Sequence, residues 1–340
     1  MNLLFITKYY YPHVGGVEKH VNMISKEFKS RNHTVSVVTW QYDRRLPRSE
    51  FVDGIRVYRI KYPEVKFIGI FCIWLQLVKL IKLFTSSDIV HIHDVVLWCI
   101  PLRILMPSKK LFATFHGWET KYPIPKKNII LRKISCLLVS KSMFIGRYIE
   151  KYYGVKADYI SYGGVDSNTQ PIGKKVRSIV FVGRLSVDTG IPMLLDALDK
   201  SKNMSIVFCG DGPLKSKCEK YGKCLGFVNP SRYLAESEIC VAGGYLSVIE
   251  AMSLGCKVIV IAPNRIRVDM FSDTPFTDLI NICRTTLDVV REIGSVTKQN
   301  QLMIKKGAKW VSNNTWRDVA TDYLRLWGLV DRAGVEPATS

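Results

Sequence analysis

Short, uninterrupted apolar runs alternate with longer amphipathic ones along this chain, and that alternation constrains the fold more than any other feature. In the first half, Leu3–Thr7, Thr34–Trp40, Ile55–Lys61, Asp88–His93, Leu111–His116, Leu137–Ser140 and Tyr159–Ser161 read as strands. Helices are predicted at Val17–Ser30, Val65–Phe84, Val95–Leu105, Asn128–Ser135 and Met143–Tyr152, the first with Val17, Val21, Ile24 and Phe28 at helical spacing. Apolar strands separated by helices predict a parallel sheet covered on both faces. Pro171-Ile172-Gly173-Lys174-Lys175 breaks the pattern and reads as a linker. The alternation then restarts, with strands at Ser178–Val182, Ser205–Cys209, Ile239–Ala242, Lys257–Ile261 and Leu279–Ile282. Helices are predicted at Ile191–Leu198, Leu246–Leu254, Leu287–Ile293, Gln299–Ser312 and Trp316–Leu326. The expected class is α/β, with two Rossmann-like doubly wound domains facing across a cleft. The first takes residues 1–170 and the second 171–312; 331–340 reads as a disordered tail.

Composition narrows the partners. With 49 Lys plus Arg against 29 Asp plus Glu, the formal charge is +20, which attracts anions: nucleic acid, anionic lipid or phosphorylated substrates. No zinc spacing, RNP-like aromatic motif or basic zipper occurs, so nucleic acid is not expected as a partner. The nine cysteines are scattered without a CxxC pair, and several, such as Cys209 and Cys240, lie inside apolar runs. They read as buried, reduced thiols of a cytoplasmic protein. The longest apolar stretch, Phe67 to Val78, is too short to span a bilayer, which needs about 20 residues. Its helix, with Lys66, Lys79 and Lys82 near the ends, suits either a lipid interface or packing against the sheet.

In open α/β sheets, ligands bind beyond the carboxyl ends of the strands. Gly15-Gly16 stands between the first strand and the first helix, where backbone N–H groups can approach a phosphate or simply turn. Gly183-Arg184-Leu185 and Gly210-Asp211-Gly212-Pro213 follow two strands of the second half. An Arg there can fork onto phosphate oxygens or stay solvated. The most informative stretch is Gly243-Gly244-Tyr245-Leu246-Ser247-Val248-Ile249-Glu250, a glycine turn running into a helix. Glu250, the one acid of an apolar helix, needs a partner: a ribose diol, or a protein Lys or Arg. His91 and His93 share a strand face beside Asp94; a metal site or plain structural packing both fit. His116 ends a strand, and Gly117 after it lets the chain turn toward a ligand.

Taken in order, these motifs resemble glycosyltransferase family 4, retaining enzymes of the GT-B fold. The likeness spans about residues 1–327 and rests on Gly15-Gly16-Val17-Glu18, Asp88 to His93, Phe115-His116-Gly117 and Gly164-Val165-Asp166. It continues through Val182-Gly183-Arg184-Leu185, Gly210-Asp211-Gly212-Pro213 and Glu250-Ala251-Met252-Ser253 followed by Gly255. The resemblance implies a nucleotide-sugar donor held mainly by the second domain, and an acceptor, lipid-linked or saccharide, bound by the first. Arg184 would hold the diphosphate, Glu250 the ribose hydroxyls, and Val228 would lie by the base. The amides of Leu246 and Ser247 and the Gly15-Gly16 turn would meet the phosphates, and His116 would lie near the transferred sugar. Residues 313–330 would form a helix crossing back to the first domain. No metal or other cofactor is implied, and an anionic membrane at the inner face of the cell is expected as a surface partner. Three positions depart from the family pattern. Ala242 stands where the family has a Glu, Thr189 where it has a Lys, and Gly163 where it has an Asn. The first two leave a second reading open, a catalytically weak sugar-nucleotide binder acting as a partner subunit.

Overall fold

The computed structural model describes residues 1–61, 68–166, 176–201, 204–294 and 296–330. The expected α/β class is found, as two compact units. The first comprises most of Met1 to Ser161 together with the chain from Val319 on; the second runs from Tyr162 to Asp318 and also takes Gly146–Tyr148. The linker expected at 171–175 and the tail at 331–340 lie outside the described residues.

The first unit is an eight-stranded sheet built from β1 (Asn2–Thr7), β2 (Thr34–Trp40), β3 (Ser49–Val52), β4 (Ile55–Ile60), β5 (Ile89–His93), β6 (Leu111–Phe115), β7 (Lys141–Ile145) and β8 (Tyr159–Ser161). Its order is β3-β4-β2-β1-β5-β6-β7-β8. Every pairing is parallel except β3 with β4. The sequence reading misses β3, although Asp53-Gly54 marks it. Both residues take positive φ, 53° and 74°, the backbone of a tight hairpin turn that joins β3 to β4. Central strands β1, β5 and β6 are buried almost throughout, which is why they read as continuous apolar runs.

Two expectations fail near β7. The predicted strand Leu137–Ser140 is the end of a helix, Lys126–Leu138, and the predicted helix Met143–Tyr152 splits into β7 and a helix Tyr148–Tyr153. Leu137-Leu138-Val139 reads as a strand because it is apolar throughout, yet Leu137 points to solvent at 83% exposure. Met143, Phe144 and Ile145 are the buried run. Of the single helix expected over Val65–Phe84, residues 65–67 lie outside the described residues and the rest is two helices, Ile68–Lys79 and Ile81–Ser86, meeting at Leu80. Val95–Leu105 likewise begins as a 3-10 turn, Val96–Cys99, before the helix Ile100–Leu105.

The second unit is a parallel six-stranded sheet of β9 (Val176–Val182), β10 (Ile206–Cys209), β11 (Gly222–Cys224), β12 (Ser237–Ala242), β13 (Lys257–Ile261) and β14 (Asn281–Cys283), in the order β11-β10-β9-β12-β13-β14. Its core joins Phe181, Leu194, Phe208, Val241, Ile259 and Val289 from strands and covering helices. The chain leaves β9 in one direction through β10 and β11 and returns on its other side through β12, so β9 and β12 flank the point where the strand order reverses. In the first unit β1 and β5 do the same. These two reversals are where a doubly wound sheet opens a crevice at its carboxyl edge.

Candidate functional site

At the carboxyl edge of the second sheet, three glycines follow three neighbouring strands, and their backbones touch. A Cβ built on Gly183 would stand 2.8 Å from Gly243 Cα, and one on Gly210 would stand 1.8 Å from Gly183 O. Gly243 in turn would place a Cβ 2.9 Å from Gly183 Cα. These glycines are therefore required by backbone packing alone. Gly244 differs. It caps the helix Tyr245–Ser253 in an extended conformation (φ −164°), and a Cβ there would meet nothing within 4 Å. The Ser247 hydroxyl accepts from Gly244 N (3.0 Å) and donates to Gly244 O (2.8 Å), fixing the cap. The first amides of this helix, which have no intrahelical acceptor, face outward at the end carrying the positive partial charge. Gly163, where the family has an Asn, takes φ 92°, and Leu246 Cδ2 lies 2.3 Å from where a Cβ would stand. Glu250 lies half-buried in the second turn.

Arg184, directly after Gly183, is half-exposed and donates to Asp188 Oδ2 (2.7 Å) and Ser186 Oγ (3.2 Å). Thr189 is 4% exposed; its hydroxyl lies 2.7 Å from Arg184 O and 2.9 Å from Ser186 O, tying the loop to itself. Ala242 is buried in β12. Neither position brings a charge to the strand ends. A residue the sequence reading passes over does. Arg267, 3% exposed, donates to Gly243 O (2.9 Å) and Ile261 O (3.2 Å), while its Nε has no partner among the described residues. Burial lowers its pKa to about 10, and Asp188 and Arg184 both act on it electrostatically. The strand ends thus carry two guanidiniums, Arg184 paired with Asp188 and Arg267 bonded to backbone carbonyls. The signal that could have found this is Asn264, whose side chain accepts from Arg267 N and caps a helix, Arg265–Ser272, absent from the sequence reading. Val228 is brought to the same edge because Gly226 (φ 68°) bridges to Gly210.

At the carboxyl edge of the first sheet, Gly16 opens the helix Gly16–Ser30, and a Cβ on it would meet nothing within 4 Å. Gly15 is closed instead: a Cβ there would stand 2.3 Å from Glu18 Oε2. Glu18 is buried beside His13 (2.8 Å), and burial holds its carboxyl above the usual range. The His116 ring meets that of His20, one turn into the same helix, edge-on at 4.8 Å. Asp94, held at φ 63°, accepts from the His116 amide (3.0 Å). His93 Nδ1 lies 2.9 Å from His116 Nε2. Burial, reinforced by Arg132, lowers the His116 pKa to about 3, so its ring is neutral near pH 7.

His91 and His20 belong to one hydrogen-bonded chain. The Trp327 indole, which can only donate, donates its N–H to His91 Nδ1 (3.0 Å). His91 therefore carries its proton on Nε2 and donates to Thr114 Oγ1 (2.7 Å). Thr114 Oγ1 lies 2.9 Å from Tyr323 Oη, which lies 2.9 Å from His20 Nε2. Both His91 nitrogens are thereby occupied. Among the described residues, no group of three or more His, Cys, Asp or Glu side chains could hold a metal ion.

Two family profiles match: Glycosyltransferase Family 4 over residues 14–168 and Glycosyl transferases group 1 over 176–268. Together they take in most of the chain. A curated relative, the phosphatidylinositol N-acetylglucosaminyltransferase GPI3 subunit of Saccharomyces cerevisiae, is 27% identical over 27% of this chain, and the match spans only about a fifth (21%) of that protein's length. Among solved structures, sucrose-phosphate synthase from Thermosynechococcus elongatus superposes with a TM-score of 0.74 at 16% identity, covering 96% of this chain and 98% of the other. Anabaena HepE, solved in complex with UDP, superposes with a TM-score of 0.69 at 14% identity, over 96% and 100%. In both, the fold is GT-B. Sequence profiles and fold agree: this chain is a glycosyltransferase of the GT-B fold whose first half matches the family 4 model and whose second half matches the group 1 model.

Proposed function

We propose that the chain is a retaining hexosyltransferase that moves a sugar from a nucleoside diphosphate donor to a lipid-linked or saccharide acceptor at the inner face of the cell membrane. The observation that carries the donor assignment is the carboxyl edge of β9 and β12. An open glycine and a helix amino terminus lie there with two guanidiniums, Arg184 paired with Asp188 and Arg267 bonded to Gly243 O. In transfer, the bond from the anomeric carbon to the diphosphate oxygen breaks while the acceptor hydroxyl bonds to that carbon and gives up its proton. Charge builds on the leaving diphosphate, and fixed N–H donors and cations stabilise it without reorganising. Arg184 and the amides of Leu246 and Ser247 take the diphosphate, Glu250 the ribose hydroxyls, and Val228 lies beside the base. Gly15, Gly16 and His116 keep the roles the resemblance gives them, His116 as a neutral hydrogen-bonding ring. With the diphosphate's charge met by these groups, the reaction is expected to run without a metal and to survive a chelator.

A panel of nucleotide sugars, screened by calorimetry and then by transfer assays with the anomeric configuration of the product read by NMR, tests this. An inverted product refutes retention; no binding to any nucleotide sugar refutes the donor assignment. The uncharged Thr189 and Ala242 favour a second reading, a weakly active binder serving a partner subunit. Binding of a donor with no turnover of any acceptor would select it.

A further inference from the structure

A surface helix normally turns apolar residues inward and polar ones to water. Three neighbouring helical segments of the first unit do not. The helix Ile68–Lys79 buries Ile73 and Leu77 yet exposes Phe71 and Leu75, one turn apart. It is held to the 3-10 turn Val96–Cys99 by the Trp74 indole, which donates to Leu97 O (3.0 Å). The helix that follows this turn exposes Ile104 at 72% and Leu105 beside it. The helix Lys126–Leu138 packs on the same turn and exposes Ile130 and Leu137 on an outward stripe, with Ser135 and Arg132 facing in. Exposed apolar side chains on three segments packed together in this way mark an interaction site.

The charge around it is one-sided. Between Glu64 and Glu150 the sequence has thirteen Lys and Arg but only three acids, so half of the chain's +20 comes from a quarter of its length. Two of those acids, Asp94 and Glu119, face Arg132 at 3.6 and 3.7 Å, and the third, Asp88, accepts from the Asn2 amide (2.7 Å). Lys79, Lys126, Lys127 and Lys133 are all exposed on these helices. A second copy of the chain is a poor occupant, because a self-complementary contact would set this charge against itself. Protein interfaces are also depleted in lysine. Anionic lipid fits both features: apolar side chains enter the headgroup boundary while lysines reach the phosphates.

We infer that these three segments form one docking face for an anionic bilayer, with Phe71, Leu75, Ile104 and Leu137 seated below the headgroups. This deepens the reading of a membrane-borne acceptor and rests on it for its purpose. The test is co-sedimentation of the full chain with vesicles of phosphatidylcholine alone and of phosphatidylcholine mixed with phosphatidylglycerol. Calorimetry with UDP is run on the same samples. Binding to the mixed vesicles only is expected. Lys126→Glu with Lys127→Glu and Lys133→Glu should lower partitioning roughly a hundredfold, at about fivefold per lysine. Leu75→Gln with Ile104→Gln should lower it at least tenfold; the single change Leu137→Gln serves if that pair does not fold. Equal binding to neutral vesicles, no binding to either, or undiminished binding by the apolar variants would overturn the inference. So would a charge-dependent complex with an acidic protein in place of vesicle binding. Vesicle binding kept with no binding of any nucleotide sugar in the panel would instead sink the donor assignment.

Discussion

Gly210 and Gly244 stand at the ends of neighbouring structural roles, and alanine at each separates packing from ligand access. At Gly210 a methyl would lie 1.8 Å from Gly183 O. A carbon-to-oxygen contact needs about 3.3 Å, so the carbonyl must retreat by about 1.5 Å. It cannot do so freely, because Gly183 is itself pressed against Gly243, with only 2.8 Å from its own Cβ position to Gly243 Cα. The displaced atoms are backbone, not a flexible side chain, so the cost belongs at the upper end of overpacking, about 3 kcal/mol. In a unit of this size that is a fall in Tm of about 6–12 °C. Gly244→Ala should cost less than about 0.5 kcal/mol, since its φ of −164° suits any residue and nothing lies within reach. Its methyl would, however, stand where a phosphate must approach the helix amides. Losing one charge-assisted hydrogen bond there weakens a nucleoside diphosphate about tenfold or more. Thermal melts and calorimetry on both variants check this. An unchanged Tm for Gly210→Ala refutes the packing argument, and unchanged diphosphate affinity for Gly244→Ala refutes the assignment of that turn to phosphate.

Arg184→Ala should weaken nucleoside diphosphate binding while leaving nucleoside affinity unchanged, and Glu250→Ala should weaken ribonucleotides more than 2′,3′-dideoxy analogues; calorimetry distinguishes the two. Thr189→Lys, which restores the family residue, should lower stability by about 1–3 kcal/mol in urea melts, because it removes a buried hydroxyl bonded to the loop carbonyls. His20, His91 and His93 are buried, and desolvation holds all three pKa values well below 6.5. The unfolded chain therefore takes up protons below pH 6.5 that the folded chain does not, and stability falls with pH. From pH 7 to 5.5 each of these rings, and His116 with its pKa of about 3, removes a little over 1 kcal/mol, about 5 in all, and pH-dependent denaturation should show that direction and size.

What the sequence shows of this fold is its local periodicity. Strands with both faces buried, such as β13 at Lys257–Ile261, announce themselves as apolar runs with the right bounds. The same rule misleads at Leu137, an exposed residue of the proposed docking face, and at Met143 to Tyr152, where a buried strand and the helix after it read as one element. Leu137 reads as a strand residue because an exposed leucine in a helix is unexpected unless something other than water covers it. The glycines are half-legible. Gly15-Gly16 and Gly243-Gly244 look alike in sequence, but in each pair one glycine is closed by a neighbour and the other open, a distinction set by Glu18 and by the Gly183 backbone. Charges at the strand ends are least legible of all. Thr189 stands where the resemblance leads one to seek a cation, while Arg267, 78 residues further on, reaches the same strand ends only because β12 and β13 are adjacent and Asn264 starts a helix after β13. A missing positive charge in one motif is therefore weak ground for inactivity. In a doubly wound sheet, several loops converge on one edge, and any of them can supply it.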